Sequence, residues 1–118
     1  MSGEVKTLRP NDLRAAIENK DSKLVVLEFV APWFDPCKFL EPQVAELARE
    51  MKDRVDFYKL DFDECKTLAN TNDVRAPATF LVLHNKIKKA TVIPTGKADL
   101  QYAIDDAGTK SNLWTKKN

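Results

Sequence analysis

The sequence predicts an α/β domain built on a mixed central sheet of about five strands flanked by four helices. Three observations predict it. Residues 24–30, LVVLEFV, are apolar on both strand faces and rich in Val, the pattern of a central strand covered by helices on either side. The opening half of the chain alternates strand-like and helix-like apolar spacing in a β-α-β order. The closing half holds two strand-like runs, TFLVLHN at 79–85 and KKATVI at 88–93, near enough to form a hairpin, and then the amphipathic run KADLQYAIDDA at 97–107.

Element by element, VKTL at 5–8 alternates like an edge strand, and Asn11 or Asp12 can cap a helix running through Leu13, Ala16 and Ile17. After the central strand, Asp35 and Pro36 form a helix start: the Asp35 carboxylate can accept from free amides at the N-cap, and Pro36 at the next position has no N–H to leave unpaired. That helix continues through Leu40, Val44, Leu47 and Met51. Pro42 inside it removes one hydrogen bond and predicts a kink near residues 38–42. VDFYKLDF at 55–62 reads as a strand and DECKTLANTN at 63–72 as a short helix, which completes the order βαβαβαββα.

With 118 residues, 43% of them hydrophobic, the chain has material for one core. The domain is expected over residues 1–108, followed by a basic, aperiodic tail at 109–118 that Trp114 either docks or leaves free. The 19 Lys and Arg against 18 Asp and Glu leave a net charge of +1, which gives no electrostatic case for nucleic acid or an acidic membrane surface. The start, MSGEVKTLRP, has no apolar signal region, and the longest apolar run carries a carboxylate and is interrupted by proline, so a cytoplasmic protein is expected, neither secreted nor membrane-spanning. Cys37 and Cys65 are too few for a disulfide framework and are expected to remain thiols. With the distant His84 they give no metal-ligand set, and no cofactor is expected.

Several segments carry a resemblance at once. VVLEFVAPW, followed by PCK and a proline within the helix, then VDFYKLDFDE, then VRAPATF at 74–80, resemble the thioredoxin family from about residue 4 to residue 107. The resemblance implies the thioredoxin fold and a setting in cell redox homeostasis. It also exposes an atypical active site, because the family's Trp-Cys-Gly-Pro-Cys motif is here WFDPC, residues 33–37. Phe34 stands where the family has its nucleophilic cysteine, and only the resolving position, Cys37, keeps a sulfur. Dithiol exchange needs one thiolate to attack and a second to release the mixed disulfide, so half of that cycle is missing.

The remaining sulfur has opposing influences. A helix N-terminus stabilises a thiolate, whereas the Asp35 charge and the burial the family gives this position favour the thiol. Glu28 resembles the family's buried aspartate, one methylene longer; it is either a proton partner for Cys37 or a carboxylate bonded to a nearby Lys or backbone group. In Ala76-Pro77-Ala78 the family's cis-proline position falls on Ala78. A cis bond there would cost about 2.5–4 kcal/mol, so either the cis bond moves to Ala76-Pro77 or the loop is all trans.

Trp33 and Phe34 either project outward as an apolar contact surface flanked by Pro77 and Pro94, or pack down, Trp33 on the sheet edge and Phe34 in the vacated thiol site. Gly96 would take over part of the role of a family glycine displaced by Pro94. Cys65 is either an exposed thiol open to cross-linking or a small apolar residue under the third helix. These readings describe a thioredoxin-like protein that does not run dithiol exchange and binds a protein or peptide partner through Trp33, Phe34, Asp35, Pro36, Ala76, Pro77, Ala78 and Pro94. The alternatives are a monothiol oxidoreductase using Cys37 with glutathione, and a scaffold subunit for which the fold is only a support.

Overall fold

Strands β1 (Val5–Leu8), β2 (Leu24–Val30), β3 (Val55–Asp61), β4 (Thr79–His84) and β5 (Ile87–Val92) form one sheet in the order β1-β3-β2-β4-β5. The computed structural model describes residues 3–18 and 22–114. β1, β3 and β2 run parallel, while β4 is antiparallel to β2 and β5 to β4, so the sheet is mixed as expected. The helices are α1 (Leu13–Ile17), α2 (Asp35–Glu50), α3 (Lys66–Thr71) and α4 (Lys97–Lys110).

The unbroken apolar run of β2 is explained by two separate cores. Leu24 and Val26 join Val55 and Phe57 of β3 and Phe80 and Val82 of β4 under Leu40, Val44 and Leu47 of α2 and Leu100 and Ile104 of α4. Val25, Leu27 and Phe29 point the other way and meet Leu60, Leu81, Leu83, Ala69 of α3, and Leu13 and Ile17 of α1. Each large side chain so buried contributes about 1.5–3 kcal/mol.

Three helix starts differ from expectation, and the simplest is α3, which begins at Lys66 and not at Asp63 because residues 63–65 form a turn. Residues Pro10–Asp12 wind as a 3-10 turn before α1, and the Asp12 carboxylate accepts from the Arg9 backbone N–H at 3.4 Å instead of capping α1. At α2 the N-cap is Phe34, whose ring cannot accept; Asp35 and Pro36 are the first two helical residues, where the Asp35 charge complements the helix dipole. α2 is continuous from Asp35 to Glu50 across Pro42, lacking only the amide that would have met the Lys38 carbonyl.

α4 is fastened at both ends. The Lys97 backbone N–H donates to Gln43 Oε1 at 2.8 Å, its ammonium pairs with Glu46 and with Glu50 at 2.8 Å, and Asp99 accepts from the Thr95 N–H at 2.9 Å. At the other end a Cβ on Gly108 would lie 1.8 Å from the Trp114 ring, so only glycine lets that ring settle on the helix. The Arg54 guanidinium covers the ring at 5.0 Å. Residues 109 and 110 complete α4, and Leu113 and Trp114 pack on the core; residues 115–118 of the expected tail lie outside the described residues.

The β4–β5 hairpin closes through Asn85 and Lys86, both left-handed at φ 52° and 72°. A two-residue turn of this kind suits glycine at its second position, and Lys86 makes there only an exposed 3.6 Å pair with Glu18. Lys86→Gly is expected to raise unfolding free energy by about 1 kcal/mol in urea denaturation, and a loss of stability would contradict the strain assigned to this turn.

Candidate functional site

The register brings three loops to one end of the sheet. Phe29 near the end of β2 lies opposite Thr79 at the start of β4, and Phe80 lies opposite Val92 at the end of β5, so residues 31–34, 76–78 and 93–96 all emerge there. The first loop is a tight strand-to-helix turn: the Phe34 N–H donates to the Ala31 carbonyl at 3.2 Å, and the Cys37 N–H to the Phe34 carbonyl at 3.1 Å.

Trp33 is 60% exposed, and its indole N–H donates to Asp63 Oδ2 at 2.7 Å. Phe34 is half-buried against the α2–α4 core, its ring edge-on to Trp33 at 5.9 Å between centroids. The two arrangements foreseen for this pair are thus combined, with Trp33 facing out and Phe34 packing inward. Asp35, Pro36 and Ala76 are exposed. Pro77 and Pro94, expected to flank the surface, are buried instead, as is Ala78; a proline has no N–H to keep solvated, so burying its ring costs no donor. The outward apolar surface at these loops is supplied by residues the sequence reading passed over, Ile93 (74% exposed) and, in the first turns of α2, Phe39 (64% exposed). The signal available was a large apolar residue next to a loop proline and another out of phase with the buried face of α2.

Every peptide bond among the described residues is trans, which selects the all-trans form of the 76–78 loop. Ala78 instead takes the left-handed conformation at φ 63°, with its N–H donating to the Phe29 carbonyl at 2.7 Å, and Thr79 Oγ1 donates to the Ala76 carbonyl at 2.8 Å. That backbone costs an L-residue about 1–2 kcal/mol, which the buried methyl and the hydrogen bond offset. A β-branched side chain does not fit this φ. Ala78→Val is therefore expected to lose more than about 2 kcal/mol, and Ala78→Gly to stay within about 1 kcal/mol of the parent, by chemical denaturation. Equal stability of all three proteins would remove the left-handed assignment.

Cys37 is 7% exposed, and its thiol titrates above the ordinary cysteine range. Burial is the main cause and the nearby Glu28 adds to it, while the backbone at Ala31 and Ala78 pulls the other way. The charge acting on the sulfur is Glu28 rather than the exposed Asp35 that the sequence suggested. Glu28 follows Leu24 and Val26 onto the α2 side of the sheet and is 4% exposed. Burial pushes its pKa up to about 7, with Glu41 contributing and Lys59 opposing. Lys59 lies opposite Glu28 in the register, yet among the described residues neither Lys59 nor a backbone amide bonds the carboxyl.

The consequence for stability has a definite sign. Folding raises the Glu28 pKa from 4.5 to about 7, so its proton, released by the unfolded chain in that window, is retained by the folded one. Stability is full below the window and falls as pH rises through it, by about 3 kcal/mol at most. Glu28→Gln cannot ionise, so its stability relative to the parent should climb between about pH 5 and pH 8, read by urea denaturation at each. A constant difference across that range would mean the carboxyl is not desolvated.

Cys65, 3% exposed, precedes α3 on the opposite face of the sheet, and both thiols are free. The sheet between them keeps the sulfurs in different cores, and burial, with Glu64 and Asp61, raises the Cys65 pKa as well. Among the described residues there is no group of three or more His, Cys, Asp or Glu able to hold a metal ion, and no helix is long and apolar enough to cross a membrane.

A five-stranded mixed sheet between helices, with a strand-to-helix turn at the carboxyl end of its central strand, is the architecture of thioredoxins. The thioredoxin family model matches residues 4–106, and this chain belongs to that family. It is 38% identical over 94 residues to a Brassica campestris thioredoxin H-type, covering 80% of this chain and 74% of that one. It is 39% identical over 82 residues to Saccharomyces cerevisiae thioredoxin-1, covering 70% and 79%. Among solved structures it resembles spinach chloroplast thioredoxin f, with a TM-score of 0.81 and 31% identity over 90% of this chain and 95% of that one. Another similar structure, at a TM-score of 0.82 and 29% identity over 90% and 96%, is of thioredoxin f2 in complex with ferredoxin:thioredoxin reductase.

Proposed function

We propose that this protein is a binding module of the thioredoxin family that does not run dithiol exchange. The observation that carries this reading is the burial of Cys37, which is the one sulfur at the turn and 7% exposed, with its thiol held protonated by its surroundings. Phe34 stands at the position the resemblance assigns to the attacking cysteine, and the other thiol is buried beyond the sheet. No second sulfur is placed to release a mixed disulfide. What the site offers is recognition: exposed Trp33, held in orientation by Asp63, beside Phe34, with Ala76 and Ile93 on the neighbouring loops. Aromatic groups with a hydrogen-bonded polar end are suited to anchoring a protein or peptide partner. A reducing compartment such as the cytoplasm is the setting in which two unpaired thiols persist.

A monothiol cycle is the second reading. Cys37 would attack a glutathione mixed disulfide, expel the substrate thiolate, and be released by a second glutathione thiol. The backbone at Ala31 and Ala78 favours the thiolate this requires, but burial outweighs it.

Two measurements test the proposal. In insulin reduction driven by dithiothreitol the protein is expected to give no acceleration, while Phe34→Cys, which places a second thiol three residues before Cys37, is expected to accelerate it at least about tenfold. Acceleration by the unaltered protein would refute the reading. In a Cys65→Ser background, alkylation of Cys37 by iodoacetamide is expected to be at least about tenfold slower in the folded than in the urea-unfolded protein. Fast alkylation with a titration below the free-cysteine range would instead establish the monothiol route.

A further inference from the structure

Behind Cys37 the sheet and α2 do not close completely on each other. A cavity of about 560 Å³ remains between the β1, β3 and β2 strands and the side of α2 from Cys37 to Arg49, a size in the range of small-molecule sites. Trp33 and Phe34 do not line it. Its walls include Val30 from β2 and Val44 and Ala45 from α2. The polar groups divide by depth. Glu28 and Lys59, opposite each other on neighbouring strands, form the floor, and the exposed Lys38, Arg49 and Glu41 of α2 and Glu4 just before β1 border the opening.

Two polar groups of the floor face the cavity with no protein partner among the described residues. The Glu28 carboxyl, 4% exposed, accepts and donates no hydrogen bond among the described residues, and the half-buried Lys59 forms no ion pair there. Glu28 and Lys59 feel each other electrostatically without touching, so a gap separates a carboxyl from an ammonium at the end of an apolar cavity. A single group that fits between them must accept from both. Three cations, Lys38, Arg49 and Lys59, border the space against Glu4, Glu41 and a Glu28 that burial keeps largely protonated up to neutral pH. The local balance therefore favours an anion, whereas an amine would set a second ammonium beside Lys59.

We propose that this cavity binds a small apolar monocarboxylate, its hydrocarbon part against Val30, Val44 and Ala45 and its carboxylate between the Lys59 ammonium and the protonated Glu28 carboxyl. No covalent step is involved. The site is independent of the partner surface, so Trp33→Ala leaves it intact.

The probe is octanoate, titrated into the full chain and followed by amide NMR shifts and calorimetry, with octylammonium as the matched probe of opposite charge. Octanoate is expected to shift the amides of Val30, Val44 and Ala45. Its affinity is expected to be about tenfold weaker at about pH 8 than at about pH 6, since Glu28 must hold its proton to donate and repels the ligand once ionised. The other charged groups facing the site are Lys38, Arg49, Lys59, Glu4 and Glu41, and the thiol of Cys37 is held above its ordinary range by burial. Glu28→Gln should bind octanoate without this pH dependence. Lys59→Met should weaken binding at least about tenfold, and Ala45→Phe should narrow the cavity and do the same while leaving the circular dichroism of the fold unchanged. Binding of octylammonium in place of octanoate overturns the proposal. So do the absence of shifts with either probe and shifts confined to the Trp33 end of the sheet.

Discussion

Strand β2 is hydrogen-bonded on both edges and covered on both faces, and the rest of the chain takes its place from that confinement. In a layer with no water, each backbone N–H and C=O has to find a strand beside it, which β3 and β4 supply along the whole length from Leu24 to Phe29. Side chains alternate between two cores, so α2 and α4 must lie on one side and α1 and α3 on the other. The confinement ends at Val30. The chain can turn away only there, and this is why the turn carrying Trp33 and Cys37 sits at the carboxyl end of the sheet's central strand.

That same confinement governs the chemistry next to the turn. Glu28 occupies a place where the alternation of β2 called for another Leu or Val, and Cys37 is pressed against the same interior. Both are acids that burial makes harder to ionise; Glu41 adds to the effect on Glu28, and Glu28 to that on Cys37. Below about pH 7 the lowest-energy state of the pair is uncharged. The turn holds its one sulfur protonated and sets the Trp33 ring outward on the frame that thioredoxins share. The thioredoxin fold accommodates this because the frame depends on β2 and its neighbours and not on the identity of the residue at position 34.

The architecture was legible wherever periodicity was strong. LVVLEFV could only be a strand covered on both faces, and α2 announced itself through Leu40, Val44 and Leu47 despite Pro42. The boundaries at helix starts were less so, because Asp12 and Asp35 suit a cap and also the first turn, and the choice is settled by how the preceding residues pack. At the site, the missing second sulfur and the exceptional carboxylate in β2 were visible as residue types out of place. What could not be read was conformation that no side chain signals: Ala78 and Lys86 stand where glycine is the usual residue, so their left-handed backbones left no trace. The inward turn of Pro77 and Pro94, and the outward turn of Ile93, likewise follow from loop geometry set by the tertiary fold.

The two tryptophans occupy opposite ends of this sheet. Trp33 follows the last residue of β2, whereas Trp114 lies under Arg54, whose carbonyl accepts from the Leu24 N–H where β2 begins. One indole is mostly in water and tethered to a carboxylate; the other rests on Gly108 beneath a guanidinium. The molecule thereby carries two optical reporters of unlike environment, one on the loops that face outward and one on the closing helix. Emission from the first registers changes at the tip of the domain, and emission from the second registers whether its far end is still closed, so the two ends can be followed separately without an added label.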